Sequence, residues 1–160
     1  MAARCLRNFG RFTMAESIPP ETRSRMMSGI RGKNTRPEMT VRSFLHRNGF
    51  RFRLHGPDLP GKPDVVLPRW HVVVFVHGCF WHGHMGCRYF KLPKTRADFW
   101  KTKIDGNAQR DALAVDRLRE AGWRVATIWE CSLRDDQDQA LEELIQFIRS
   151  ERPLLEIISS

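Results

Sequence analysis

Residues 76–87 read VHGCFWHGHMGC: two cysteines, three histidines and a Phe-Trp pair within twelve positions. Thiolates and imidazoles bind Zn²⁺ tetrahedrally, and structural sites take four such ligands at short spacings. Cys79 and Cys87 lie in this stretch and Cys131 follows far downstream in WECSLR, which leaves the fourth place to His82 or His84. Buried free cysteines can also act as small hydrophobes. Here, though, Cys79 and Cys87 sit in a polar, glycine-rich segment with no apolar reason to be buried, so a metal is the stronger expectation.

A second chemistry is written in PGKPDVV, residues 60–66. A carboxylate at a strand edge can hold Mg²⁺, which polarises a phosphate and activates water. Asp64 is that carboxylate, although a lone Asp after proline is also an ordinary strand-start residue. Many nucleases add an acid and a lysine on the next strand. This chain has VVVFVH there, ending in His77. Glu38 is a second candidate carboxylate, with a competing explanation in the capping box Thr35-x-x-Glu38. His77 and His82 are both candidate general bases, since imidazole titrates near neutrality. Asp111 could orient one of them. Phe80 and Trp81 stand in a polar loop, off any periodic face, and with Trp100 could wedge between base steps. Lys91, Lys94, Arg96, Lys101 and Lys103 flank the loop and suit phosphate contacts.

The surrounding pattern must position these groups. Residues 1–21 lack periodicity and read as a disordered extension, with Met14 an alternative start and Cys5 given no role. Thr22 to Ile30 is short, basic and Met-rich, a brief helix or an arm. A helix is predicted over about 36–48, with Thr35 as N-cap, Pro37 in the first turn and Gly49 ending it. Phe50, Phe52 and Leu54 alternate with arginines and predict a half-buried strand. A Pro- and Gly-rich loop (55–63) leads to DVVL and VVVFV, continuous β-branched runs that predict a hairpin buried on both faces. Residues 78–95 read as loop. A helical region follows over about 96–120, with Ala108, Ala112, Val115 and Leu118 as its inner stripe and a break expected near Gly106. WRVATIW predicts a strand, Leu141 to Ile148 a last amphipathic helix, and 151–160 a tail. The order α-β-β-β-α-β-α implies a mixed sheet covered by helices.

Length and composition fit one domain. At 160 residues with 41% hydrophobic content the chain can build one real core, and no apolar run approaches the ~18–20 residues needed to span a bilayer. Lys and Arg number 27 against 18 Asp and Glu, a net charge of +9 that attracts polyanions, nucleic acid foremost. No apolar signal segment is visible, so a cytoplasmic setting without disulfides is expected.

Taken together, RSRMMSGIRGKNTRPE (23–38), LPGKPDVV, FVHGCFWHGH, Phe99-Trp100, N-x-x-R-D (107–111) and GWRVATIWECSLR (122–134) resemble the very short patch repair (Vsr) DNA mismatch endonucleases, in the right order over residues 22–134. The resemblance implies a restriction-endonuclease-like fold in a single domain over 22–150. It implies Mg²⁺-dependent hydrolysis of one phosphodiester, 5′ to the thymine of a T:G mismatch in double-stranded DNA. Asp64 would hold Mg²⁺ with the backbone carbonyl of Val76, while Glu38 and His77 would support its waters. His82 would be the general base with Asp111 as partner, and Cys79, His84, Cys87 and Cys131 the Zn²⁺ ligands. Phe80, Trp81 and Trp100 would be the wedge. A monomer suffices to nick one strand, and mismatch-repair proteins are candidate partners. Two departures stand out: two residues, not one, separate His84 from Cys87, and Val76 replaces a familiar threonine. Two other readings compete: a restriction-like nuclease with another DNA target, and a zinc-stabilised DNA-binding module without catalysis.

Overall fold

The computed structural model describes residues 33–159. The expectations for the N-terminal extension, the Met-rich stretch and Cys5 lie outside the described residues.

Helix α1 (Arg36–Arg47) begins where its sequence signals place it. Thr35 Oγ1 accepts the Glu38 N–H, and Pro37 occupies the first turn, where its missing N–H costs nothing. Five strands follow: β1 (Arg53–Leu54), β2 (Val65–Leu67), β3 (Val72–His77), β4 (Arg124–Trp129) and β5 (Leu154–Ile157). Helix α2 (Ala97–Glu120) links β3 to β4, and α3 (Glu130–Asp135) with α4 (Gln137–Arg149) links β4 to β5. The sheet order is β1-β2-β3-β4-β5, antiparallel through β3 and parallel from β3 to β5.

Side-chain alternation sorts the two faces. Val65, Leu67, Val72, Val74, Ala126 and Ile128 pack with α1 and α4 in the main core, while Val66, Val73, Phe75 and Val125 pack with Leu118 of α2 in a second one. A sheet covered on both faces explains why the hairpin strands read as unbroken β-branched runs. Arg124 consumes one of the many positive charges structurally: its guanidinium donates to the carbonyls of Phe147, Ile148 and Ser150 and so caps the end of α4. No helix among the described residues is long and apolar enough to cross a membrane.

The mixed α/β class is as expected, but four local expectations are corrected. The strand predicted over 50–54 contracts to two exposed residues, because Phe50 instead closes the end of α1 and enters the core at 4% exposure. Helix α2 runs unbroken through Gly106; a mid-helix glycine costs only about 1 kcal/mol, less than packing along 24 residues recovers. Its buried residues are Ile104, Ala114 and Leu118, whereas Ala108 and Ala112 are exposed beside a cleft. The stretch read as a tail supplies β5, whose Leu155 and Ile157 are buried against the main core.

Candidate functional site

All the chemistry gathers at the C-terminal end of β3. The strand ends at His77, the chain leaves the sheet, and residues 78–95 contain neither helix nor strand. Short backbone bonds coil this loop tightly: His82 N–H to Gly78 O at 3.2 Å, His84 N–H to Cys79 O at 3.0 Å, Cys87 N–H to His84 O at 3.2 Å. Gly83, at φ +68°, lies so close to α2 that a Cβ there would stand 2.7 Å from Ile104 Cγ2. Only glycine fits at that approach.

Cys79, His84, Cys87 and Cys131 converge, each offering a ligand atom within 4.8 Å of the others. Cys131 Sγ lies 3.4 Å from His84 Nδ1. Edges of a tetrahedral Cys₃His zinc site should measure roughly 3.5–3.8 Å, so the donor set and its spacing fit such an ion. None of the three cysteines is in a disulfide. Burial pushes the Cys79 thiol up to about 12, with Cys131 and Cys87 close by; a cation at the centre would reverse that preference and hold thiolates. The extra residue between His84 and Cys87 is absorbed by Gly86 at φ +78° and by Met85, which projects outward at 78% exposure. The choice between His82 and His84 therefore resolves geometrically: His84 joins the cysteines.

His82 turns the other way. Its Nδ1 lies 2.6 Å from Asp111 Oδ2 on α2, and its ring stacks on His77 at 3.8 Å and 6°. Burial works to raise Asp111, but the His82 hydrogen bond and nearby positive charge, that of Arg110 included, outweigh it and hold the carboxyl below the usual range. An ionised Asp111 can only accept, so His82 Nδ1 carries the proton in this bond. Burial drives His77 down to about 3, so its imidazole is neutral. Asn107, one turn before Asp111, donates to the Trp81 carbonyl at 2.8 Å. One face of α2 thus grips the loop at both Trp81 and His82.

Asp64, just before β2, accepts the Val76 N–H on β3 at 2.8 Å through Oδ2. Burial raises its pKa; the Val76 N–H opposes this, and the nearby charge of Glu38 adds to it. Glu38 therefore lies near enough for its charge to act on Asp64, which spacing alone could not show. It is also more than a cap. At 5% exposure it accepts from Arg42 Nη2 at 2.7 Å, the Asn34 N–H at 3.0 Å and the Thr35 hydroxyl at 2.9 Å. Arg42, equally buried, escaped the sequence reading because an i,i+4 Glu-Arg pair usually marks a solvated face. Replacing Arg42 by leucine should cost about 3 kcal/mol, since it strands a buried carboxylate. A thermal melt checks this, and Glu38→Gln in the same chain should restore part of the loss.

The aromatic trio also assembles. Phe80 and Trp81 meet edge to face at 5.1 Å, and Trp100 packs on them at 5.5 and 6.0 Å. All three are half-buried, with Phe90, which the sequence reading passed over, 6.4 Å behind Phe80. Lys91, Lys94 and Arg96 are exposed around them, and the Arg96 guanidinium lies 4.5 Å over the Phe99 ring.

Comparison with known proteins agrees with this constellation. The profile of the DNA mismatch endonuclease Vsr family matches residues 15–88. The chain is 54% identical over 122 residues to the type II nicking enzyme V.XorIIP of Xanthomonas oryzae pv. oryzae, covering 76% of this chain and 89% of that protein. It is 43% identical over 136 residues to the DNA mismatch endonuclease Vsr of Escherichia coli K12, covering 83% and 86%. It is 42% identical over 122 residues to the type II nicking enzyme V.NmeAIP of Neisseria meningitidis serogroup A, covering 76% and 86%. With identity of that order across most of each relative, the chain is a DNA endonuclease and belongs to the Vsr DNA mismatch endonuclease family.

Proposed function

We propose that the protein nicks one strand of double-stranded DNA 5′ to the thymine of a T:G mismatch, by Mg²⁺-dependent hydrolysis, as the first step of very short patch repair. The observation that carries the reading is the juxtaposition of two half-sites at one end of the β2–β3 hairpin: Asp64 anchored on the Val76 N–H beside Glu38, and the His77–His82–Asp111 group. Binding alone needs neither. The antiparallel hairpin continued by parallel strands also suits a restriction-endonuclease-like core.

The donors suit the two cations differently. Asp64, with the Val76 carbonyl and waters held by Glu38 and His77, is an all-oxygen environment for Mg²⁺, and the Cys₃His set is one for Zn²⁺. Bound Mg²⁺ would supply charge neutralisation at the scissile phosphate. The chain's own residues do the rest. His82, with Nδ1 tied to Asp111, presents Nε2 to take a proton from the attacking water. Phe80, Trp81 and Trp100 enter the base stack beside the mismatch, and Lys91, Lys94 and Arg96 take the phosphates. The enzyme works as a cytoplasmic monomer, within a domain that runs on through β5 to Ile157, and hands its nick to repair proteins.

The test is strand-resolved cleavage of a labelled duplex with one T:G mismatch, beside matched T:A and C:G duplexes, with and without Mg²⁺. A Mg²⁺-dependent nick 5′ to the mismatched thymine is expected. Equal cutting of matched DNA would mean a restriction-like nuclease, and tight binding without cleavage a zinc-stabilised binding module.

A further inference from the structure

Trp129 stands between the two halves of the site. It is the last residue of β4, pairs with His77 across the parallel ladder and is 7% exposed. Its indole stacks on His84 at 4.2 Å and 18°, and meets His77 edge-on at 5.2 Å and 79°. One ring therefore touches a histidine of the Cys₃His cluster and a histidine of the His77–His82–Asp111 group.

Packing covers most of that ring, and a cleft borders the rest. Trp129, His77, His82 and His84 line one wall of a cleft of about 480 Å³, whose other walls include Leu154 and Ala112. The polar edge of the indole is fixed by a hydrogen bond: Nε1–H donates to Glu156 Oε1 at 2.6 Å. Glu156 lies on β5, opposite Thr127 in the ladder, two residues short of Trp129 on β4. A carboxylate acceptor makes this bond charge-assisted, about twice as strong as a neutral one. Of the β5 residues that line the cleft, Leu154, Leu155 and Glu156, only Glu156 is polar, and it lies outside both the profile match and the sequence motifs.

We propose that Glu156 is a positioning residue: by fixing the Trp129 indole it orients His84 toward the Cys₃His centre and His77 toward the waters of the proposed Mg²⁺ site. The effect on nicking rests on the proposed nickase activity; the effect on the metal ligand does not. Outer-sphere partners of this kind are typically worth ten- to a hundredfold in metal affinity or activity. An acceptor oxygen at this place is what the ring requires, and the charge strengthens the bond.

The full-length protein with Glu156→Ala, Glu156→Gln and Trp129→Phe separates these effects. Three readouts apply: the ¹H–¹⁵N resonance of the Trp129 indole, assigned by its loss in Trp129→Phe; the rate of zinc release to a chromophoric chelator; and kcat against KM on the T:G duplex. Glu156→Ala should shift the indole resonance, speed zinc release about tenfold and lower kcat about tenfold with KM unchanged. Trp129→Phe should match it in the last two, because phenylalanine lacks the donor. Glu156→Gln, which keeps an acceptor oxygen but not the charge, should restore most of the parent behaviour. The inference is overturned if Glu156→Ala moves the resonance but leaves zinc release and kcat as in the parent, or if Glu156→Gln is as damaged as Glu156→Ala. A parent that nicks no T:G duplex sinks the nickase reading instead, and zinc release still decides the positioning.

Discussion

Asp64→Asn should nick a T:G duplex at least about a thousandfold more slowly than the parent, a loss of about 4 kcal/mol of transition-state stabilisation, while remaining at least as heat-stable. Both halves follow from the same contact. Asparagine can turn its carbonyl oxygen to the Val76 N–H and keep the 2.8 Å bond that aligns the loop before β2 with β3. It cannot supply the charge that a divalent cation needs. The charge is also what the fold resists: burial raises Asp64 above 3.8, and Glu38 adds to that. A carboxyl whose pKa is higher folded than unfolded adds stability below the unfolded pKa and loses it as pH rises through the folded one. At neutral pH without added divalent cation, ionised Asp64 therefore costs stability, and the asparagine variant should melt no lower than the parent. Below pH 3.8 the parent's own carboxyl is protonated and the gap in Tm should close. Single-turnover cleavage and thermal melts across pH 3.5–7.5 test the pair. A variant that nicks normally would remove Asp64 from the chemistry, and one that unfolds would make it a structural residue.

This opposition between stability and chemistry explains which features were legible in the sequence. The hairpin could be read because burial on both faces demands apolar side chains at every position from Val72 to Phe75. The Cys₃His set could be read because thiols in a polar loop have no packing reason to be there. Other features depend on partners distant in sequence. β5 is four residues long, and half of it is exposed, so its alternation is too short to register. The α2 stripe was misassigned because Ala108 and Ala112 suit a buried face or a cleft wall equally; only the seat of Ile104 on Gly83 and of Leu118 on the sheet decides the rotation. Arg42 and Glu38 look like a surface pair until burial is known. The Trp129–Glu156 bond spans 27 positions and two strands, and no local pattern announces it. The resemblance to the family supplied residue roles, but it ended at residue 134 and so stopped before β5.

Cys131→Ser should release the metal, lower the melting temperature by about 10 °C, a loss of about 3 kcal/mol, and abolish nicking together. Of residues 78–95 only Cys79 is buried, so this loop has little apolar area with which to hold itself against the sheet. Cys131 is the one ligand from outside it, in the first turn of α3, directly after β4. A metal held there would tie a long irregular loop to the end of β4, a strand buried at five of its six positions. Serine keeps the shape but is a poor ligand, so the tie is cut with little change in packing. Because His82 lies between Cys79 and His84, loosening the cluster also frees the ring that Asp111 holds. The main core shares no residue with the loop, so far-UV circular dichroism at 20 °C should keep the parent's shape while the metal content falls to background. Met85→Ala is the matched control: Met85 belongs to the link between two ligands yet is 78% exposed, and its variant should keep metal, melting temperature and activity. If Cys131→Ser retained the metal and melted like the parent, the four side chains would be a packing cluster and the loop would be held by its contacts with α2.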